Sequence, residues 1–575
     1  MGAPVLNGPF TMPMFRDFVP RALQPWIYIF MAATFQLSGG IYLGALNEMI
    51  GGMALMREDL MMCLYANLAG MAIYFPILFR MKFRFTNRTL LTAAAAGALV
   101  CNLVAPHVRL LPLLWAVCFV EGMCKIQGTF ECMSTIQLWI TPQRDFTAFF
   151  PVLHIVILGC MQLSTIITTA LMHHYHWVWM HLLVSALMAV DLLIVRLCTR
   201  HFRIVRKMPL YGIDWLGALL WVALLLQVAY LFDYGEWYDW WYSPVMRRLA
   251  VTSVATLALC LWRMNTIRHP YIEPRMWSYR HLFPILILIT LVEMLLATEH
   301  VLEGAFYEQT MHYDATVSVL VTRWVLVGVL AGCGFAYWWM HVRRMSYVRL
   351  LTVGIAALAA YLLGYYFTVS ADIHVSQLYL PAACRGFAYA ILSATFMVCL
   401  EEIMTFQHFF QELSVFNMLH MVVGGGHRRG HLYRGLHILY GRQHGALRRR
   451  RRQRGLHART LRHGGLHGGL RGPYDRDERQ AGLRVGCLRL HRAAVAVPAL
   501  RRACAPRIEA HTHVADGALG CGALAAPYRR APLGGRSDGT TKAGTRKGSG
   551  LFGLAPADGY FLKYLSAKSM NRCQS

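Results

Sequence analysis

Residues 315–340 read ATVSVLVTRWVLVGVLAGCGFAYWWM, an apolar run interrupted by one charge, Arg323. A helix rises about 1.5 Å per residue, so such a run covers the roughly 30 Å hydrocarbon core of a bilayer. It does not alternate apolar and polar residues, and it is too long for a strand of a membrane barrel. Working outward, comparable runs lie at 25–47, 60–80, 88–105, 110–138, 147–172, 177–198, 212–232, 247–264, 281–302, 348–369 and 381–404. With the quoted run these predict twelve transmembrane helices. A thirteenth begins near 409 with Phe409, Phe410, Val415, Phe416, Met418 and Leu419, and runs into Gly424-Gly425-Gly426.

The composition agrees: of 575 residues 56% are hydrophobic and 15% charged, too apolar for a soluble domain, and 12% aromatics argue against disorder for most of the chain. The charge divides the chain in two. Residues 1–426 carry 26 Lys and Arg against 22 Asp and Glu, whereas 427–575 carry 30 against 7, which together give the net +27. The basicity belongs to the tail, so the body is not read as a nucleic-acid binder. Cys101, Cys118, Cys160 and Cys260 sit inside apolar runs and read as small buried residues. Arg16 and Arg21 precede a first run too long for a cleavable signal, so helix 1 is expected to serve as its own insertion signal.

Orientation follows the Lys and Arg near helix ends. Arg80, Lys82, Arg84 and Arg88 fill the second loop, and Arg196, Arg200, Arg203, Arg206 and Lys207 the sixth. Arg263, Arg268, Arg275 and Arg280 fill the eighth, and Arg343, Arg344 and Arg349 the tenth. The loops at 233–243 and 303–314 are acidic instead. The even loops and the N-terminus are therefore expected in the cytoplasm of a bacterial-type inner membrane.

Beyond Gly426 the tail holds Arg448 to Arg452 in succession and nothing long enough to span. Two readings stand: a disordered basic tail, or a reading-frame slip near residue 427. Moving one nucleotide forward turns CGN arginine codons into Val, Ala, Asp, Glu or Gly codons, and His codons into Ile, Thr or Met codons. Applied to 432–440, that shift yields membrane-helix residue types. The tail is assigned no function.

The arrangement over roughly 20–426 resembles the major facilitator superfamily, in particular its 14-helix drug:proton antiporter branch. Leu43-Gly44-Ala45-Leu46-Asn47-Glu48-Met49-Ile50 is similar to that branch's helix-1 exit. Arg80-Met81-Lys82-Phe83-Arg84-Phe85-Thr86-Asn87-Arg88 stands where the superfamily keeps its loop 2–3 motif, and Tyr175-His176-Trp177-Val178-Trp179 resembles the W-x-W opening helix 6. Residues 75–84 lack that motif's Gly and Asp. Helix 5 offers only Pro151 and Gly159 of the antiporter signature, and 35–40 lacks the usual helix-1 Asp. The resemblance implies an all-α bundle of 12–13 transmembrane helices, two six-helix halves plus two extra central helices, the last helix missing. The corresponding segments are a cytoplasmic N-terminus (1–24), the first half (25–198) and a basic linker with the extra helices (199–264). An incomplete second half (265–426) and the tail (427–575) follow. It implies a secondary active transporter, by default proton-coupled efflux of small amphipathic organic compounds. Its expected partners are a small-molecule substrate, protons or another coupling ion, the lipid bilayer and a periplasmic adaptor protein.

Ionisable groups inside the bilayer usually face a cavity, a partner or a pathway. Glu121 and Lys125 lie one turn apart on helix 4 and can pair, with Glu131 nearer the cytoplasm. Glu293 lies mid-span on helix 9 and Glu299 near its outer end, where Arg323 could answer Glu299 or Glu303. Glu293 and Glu121 are the leading coupling or substrate-binding candidates, against fixed ion pairs that only join helices. Asp191 is expected to serve the arginines of the next loop. The competing class is a membrane metal oxygenase of the carotene-cleaving type, suggested by His173-His174-Tyr175-His176 but lacking a second cluster in sequence. A third is a scaffold without transport. No cofactor or metal site is expected, and no phosphate-binding glycine motif supports ATP drive.

Overall fold

The computed structural model describes residues 15–141, 145–201, 210–279, 281–297, 303, 306–307, 311, 313–368 and 373–421. The chain divides into two compact units, Met1–Cys504 and Ala505–Ser575, and everything described belongs to the first. The tail and the frame slip lie outside the described residues.

Regular structure among the described residues is helical, apart from one isolated bridge between Phe15 and Thr199. The elements are α1 (Gln24–Leu37), α2 (Ile41–Gly44), α3 (Leu46–Met53), α4 (Arg57–Arg84), α5 (Asn87–Val104), α6 (Leu111–Ile140), α7 (Phe146–His154) and α8 (Cys160–His174). They continue with α9 (Val178–Cys198), α10 (Trp215–Asp233), α11 (Pro244–Thr266) and α12 (Leu282–Ala297). The last four are α13 (Ala315–Tyr337), α14 (Tyr347–Thr368), α15 (Tyr379–Ile403) and α16 (Phe406–Met421). Among the described residues ten helices are long and apolar enough to cross a membrane, and α12 is apolar but shorter. The chain is an integral, multi-pass membrane protein.

Short-range chemistry sets the helix ends. Thr86, Asp145, Asp214 and Ser243 accept from backbone N–H groups of the first turns of α5, α7, α10 and α11, filling donors that a helix start leaves open. The first span departs from the expected single helix over 25–47. Ser38-Gly39-Gly40 forms a 3-10 turn between α1 and α2, with the Ser38 hydroxyl bonding the Phe35 carbonyl at 3.3 Å. Two adjacent glycines weaken the helix at that point. The span then runs on to Met53, where Ala54 adopts a left-handed φ of 54°. The span 146–174 stays continuous despite Pro151, but loosens into a π-turn at Ile155–Gly159.

Small residues let helix backbones touch where apolar lipid gives little drive for association. A Cβ on Gly70 of α4 would meet the Phe119 carbonyl of α6, and one on Gly122 of α6 would meet the Asn67 backbone of α4. The same reciprocal crossing joins α13 and α15, where Gly328 lies against Ala383 and Gly386 against Val325. Counted by spans, these are the second and fourth of the first six and the second and fourth of the set beginning with α12. A second reciprocity joins the two sets: α13 packs on α7 and α8, the fifth span of the first six, while α16, the fifth of the later set, packs on α4.

The pair α10 and α11 stands beside α4. Asp214 binds Arg263 at 2.6 Å at one end of the pair, and Tyr234 donates to Asp59 of α4 at the other. Most of α11 is exposed through residues such as Val251, Val254, Leu257 and Trp262, a surface suited to lipid. Cys101, Cys118, Cys160 and Cys260 are buried free thiols, in keeping with their apolar contexts.

Candidate functional site

The break in the first span is where α1, α6 and α8 converge. Lys125 of α6 reaches across so that its Nζ occupies the place a side chain would take on Gly39. The Ser164 hydroxyl of α8 donates to the Leu37 carbonyl at the same break, and Gln36 donates to Thr129 at 3.0 Å. The Phe35 ring fills the space above Gly128, one turn further along α6.

Glu121, fully buried, does not make the expected pair with Lys125. It accepts from the Asn102 amide of α5 at 2.9 Å, and Asn102 Oδ1 lies 3.1 Å from His181 Nδ1 of α9. The three helices are thus joined by one hydrogen-bonded chain. Among the described residues, no ion pair or hydrogen bond joins Glu121 to Lys125. The sequence spacing permitted the pair, but the amide of a neighbouring helix was not visible in it.

Glu131 and Lys82, predicted separately, are brought together. Glu131 is fully buried, 3.3 Å from Lys82 Nζ, and also accepts from Asn87 at 2.8 Å and Gln127 at 3.3 Å. Lys82 further donates to Ser134 and lies 5.0 Å from the centre of the Phe130 ring. Of the other loop 2–3 residues, Arg88 donates to the Arg196 carbonyl at 2.9 Å, Arg80 lies against Gly212, and Arg84 is half-buried.

Asp191 does not serve the loop arginines. It is buried and accepts from Thr34 of α1, leaving its Oδ1 without a hydrogen-bond partner among the described residues. Arg323 does not answer Glu303 either, since Arg323 is exposed and Glu303 is held by Arg385 of α15 and by the Tyr361 hydroxyl at 2.9 Å. Glu293 is buried on α12, and Glu299 lies outside the described residues. The sequence reading missed Arg385, although a charge inside the run 381–404 was signal enough. It also missed Glu412 on α16, whose carboxylate oxygens are both buried without a partner among the described residues.

Near the start of α7, phenylalanines from both sets meet. Phe130 lies 5.3 Å from Phe410 and Phe150 lies 5.9 Å from Phe409, centre to centre. Beside them Asp145 meets His341, just beyond α13, at 3.1 Å. Partial burial raises the Asp145 carboxyl, but hydrogen bonds from Thr147 and the contact with His341 outweigh it and hold the group below the ordinary range.

His173, His174 and His176 are exposed at and just beyond the end of α8. Among the described residues no three His, Cys, Asp or Glu side chains converge to hold a metal. Nothing described favours the oxygenase.

No family model and no curated protein matches the sequence. Solved structures do. An auto inhibited POT family peptide transporter matches with a TM-score of 0.50 at 14% identity, over 84% of this chain and 97% of that one. The human organic anion transporter TETRAN matches at 0.49 and 10% identity, over 84% and 100%. The nucleoside transporter NupG matches at 0.47 and 12%, over 83% and 99%. At such identities the likeness is one of fold, and it agrees with the all-α membrane bundle expected from the sequence.

Proposed function

We propose that this chain is a secondary active transporter that exports small amphipathic organic compounds from the cytoplasm in exchange for protons. The observation that supports the reading best is Lys125, a buried ammonium set against a broken transmembrane helix. Discontinuous helices and intramembrane charges are the ordinary furniture of substrate sites in such bundles, and both are costly without a use. In this reading Glu293, or Glu121 with its Asn102–His181 chain, takes a proton on one side and releases it on the other as the two sets rock. Glu131 and Lys82 couple that movement to the loop after α4.

The N-terminal segment and the basic loop after α9 lie together, since Arg16 N donates to the Cys198 carbonyl at 2.8 Å and Arg200 pairs with Asp17. By the distribution of Lys and Arg both belong in the cytoplasm. The tail beyond residue 427 is read as the product of a frame slip, which sequencing the gene checks directly. Dye efflux and proton flux in inverted vesicles test the function, comparing the chain with its Glu293→Gln and Glu121→Gln variants. Efflux that both variants retain in full removes the coupling assignment, and no flux of any dye removes the transporter reading.

A further inference from the structure

Glu412 stands on α16, the fifth span of the later set, and is wholly enclosed. Neither of its carboxyl oxygens reaches solvent or finds a hydrogen-bond partner among the described residues. Glu121, Glu131, Asp191 and Glu303 differ, since they accept from Asn102, Lys82, Thr34 and Arg385 in turn. The charged groups on the elements packed around α16 are engaged elsewhere. At the near end of α4, Arg80 lies against Gly212 and Lys82 binds Glu131. His408, one turn before Glu412 on α16 itself, meets Glu273 at 3.1 Å and the Tyr279 hydroxyl at 3.0 Å. On α15, Arg385 holds Glu303 and Glu402 accepts from Tyr347 at 2.9 Å. Glu293 of α12 and Glu401 of α15 are acids and supply no counter-charge. A carboxylate sealed without a donor or a cation is strongly disfavoured, whereas the neutral acid costs far less to bury.

The place of Glu412 on its helix bears on when a proton could leave it. Residues three apart on a helix share a side, and side chains lean toward the helix start. Glu412 therefore lies one turn further along α16 on the side of Phe409, whose ring is 5.9 Å from Phe150 of α7 in the first set. Further along, the Ser414 hydroxyl donates to the Ala72 carbonyl of α4 at 2.7 Å. Glu412 thus lies between two contacts that any tilt of one set against the other must alter.

We propose that Glu412 is a proton-carrying site of the transporter. It holds its proton as a neutral acid while α16 is packed on the first set, and yields it when the Phe409–Phe150 contact parts and water enters from the side of the basic loops. The acid O–H bond then breaks, its electron pair stays on the carboxylate, and water takes the proton. The site adds to Glu293 and Glu121 and rests on the transporter reading.

Infrared spectra of the purified full chain at neutral pH should contain a protonated-carboxyl band that Glu412→Gln removes. Nitroxide labels placed through Ile140→Cys, at the end of α6, and Thr405→Cys, just before α16, report the separation of the two sets. That separation should lengthen from mildly acid to alkaline buffer in the parent, and stay short throughout in Glu412→Gln. A parent spectrum in which Glu412→Gln removes no such band, a separation that ignores pH, or an equal lengthening in Glu412→Gln overturns the proposal. Should Glu412→Gln fail to fold, Glu412→Asp takes its place: the band should move, and an unmoved band overturns the proposal. Transport of ethidium, Nile red and fluorescein in inverted vesicles separates the two readings. Glu412→Gln is expected to lower gradient-driven transport about tenfold. Full transport by that variant defeats the proton site and leaves the transporter reading standing. The expected band and pH response with no flux of any dye do the reverse.

Discussion

Replacing Arg385 by alanine removes the counter-charge of Glu303. Both side chains are more than nine-tenths buried, and the carboxylate also accepts from the Tyr361 hydroxyl at 2.9 Å. Breaking one side of a buried pair costs about 3–5 kcal/mol. The loss has a ceiling, because the abandoned carboxylate can take a proton instead. At pH 7, starting from an ordinary glutamate pKa of about 4.3 and about 1.36 kcal/mol per unit, that ceiling is about 3.7 kcal/mol. At pH 5 it falls to about 1 kcal/mol by the same conversion. Arg385→Ala is therefore expected to lose about 3 kcal/mol at pH 7 and about a third of that at pH 5, read from unfolding titrations in mixed micelles followed by tryptophan fluorescence. Adding Glu303→Gln should recover most of the loss, because a neutral amide can keep the Tyr361 bond. Arg323→Ala, on an exposed side chain, should stay within about 0.5 kcal/mol. A pH-independent loss, a loss below about 1 kcal/mol at pH 7, or an equal effect at Arg323 refutes the assignment of Arg385 as the partner.

Leucine at Gly122 or at Gly328 must push apart the backbones of α4 and α6 or of α13 and α15. Either variant is expected to abolish monodisperse protein in size-exclusion chromatography, whereas Gly51→Ala, with nothing within 4 Å of its added carbon, should leave the profile unchanged. Asp145 has its pKa lowered in the folded protein, so its contribution is complete above the ordinary value near 4 and is lost as pH falls through the lower folded value. Melting midpoints between about pH 5 and pH 3 should accordingly fall less steeply for Asp145→Asn than for the parent chain. Asp214→Ala removes both the first-turn acceptor of α10 and the partner of Arg263, and should cost about 2 kcal/mol. Hydrogen exchange should show the loss concentrated in 215–233.

The fold was legible because bilayer thickness imposes one length on every span, and residues such as those of 315–340 meet it without ambiguity. The break at Ser38-Gly39-Gly40 was equally written in the residues, yet its neighbours are apolar enough to read as one run. Side-chain partners were harder. Spacing along a helix suggested Lys125 for Glu121, but the choice was made across helices by Asn102, whose approach depends on how α5 and α6 pack. Lys82 and Glu131 are separated by an entire helix in sequence and meet only because α4 and α6 cross closely through Gly70 and Gly122. Arg385 replaced Arg323 for a similar reason: both lie near the same end of the bundle, but Arg385 alone faces inward.

The attachments of α10 and α11 set what can move. With Asp214 tied to Arg263 the pair holds together, and with Tyr234 anchored to Asp59 it is fastened to α4 like an outrigger to a hull. Any tilt of the first six spans against the later set carries the pair along unchanged. Spin labels on α11 and α9 should then keep one separation through the proposed transport cycle, while labels on α11 and α14 separate and approach. The lipid around Val251 and Trp262 would feel that stroke first.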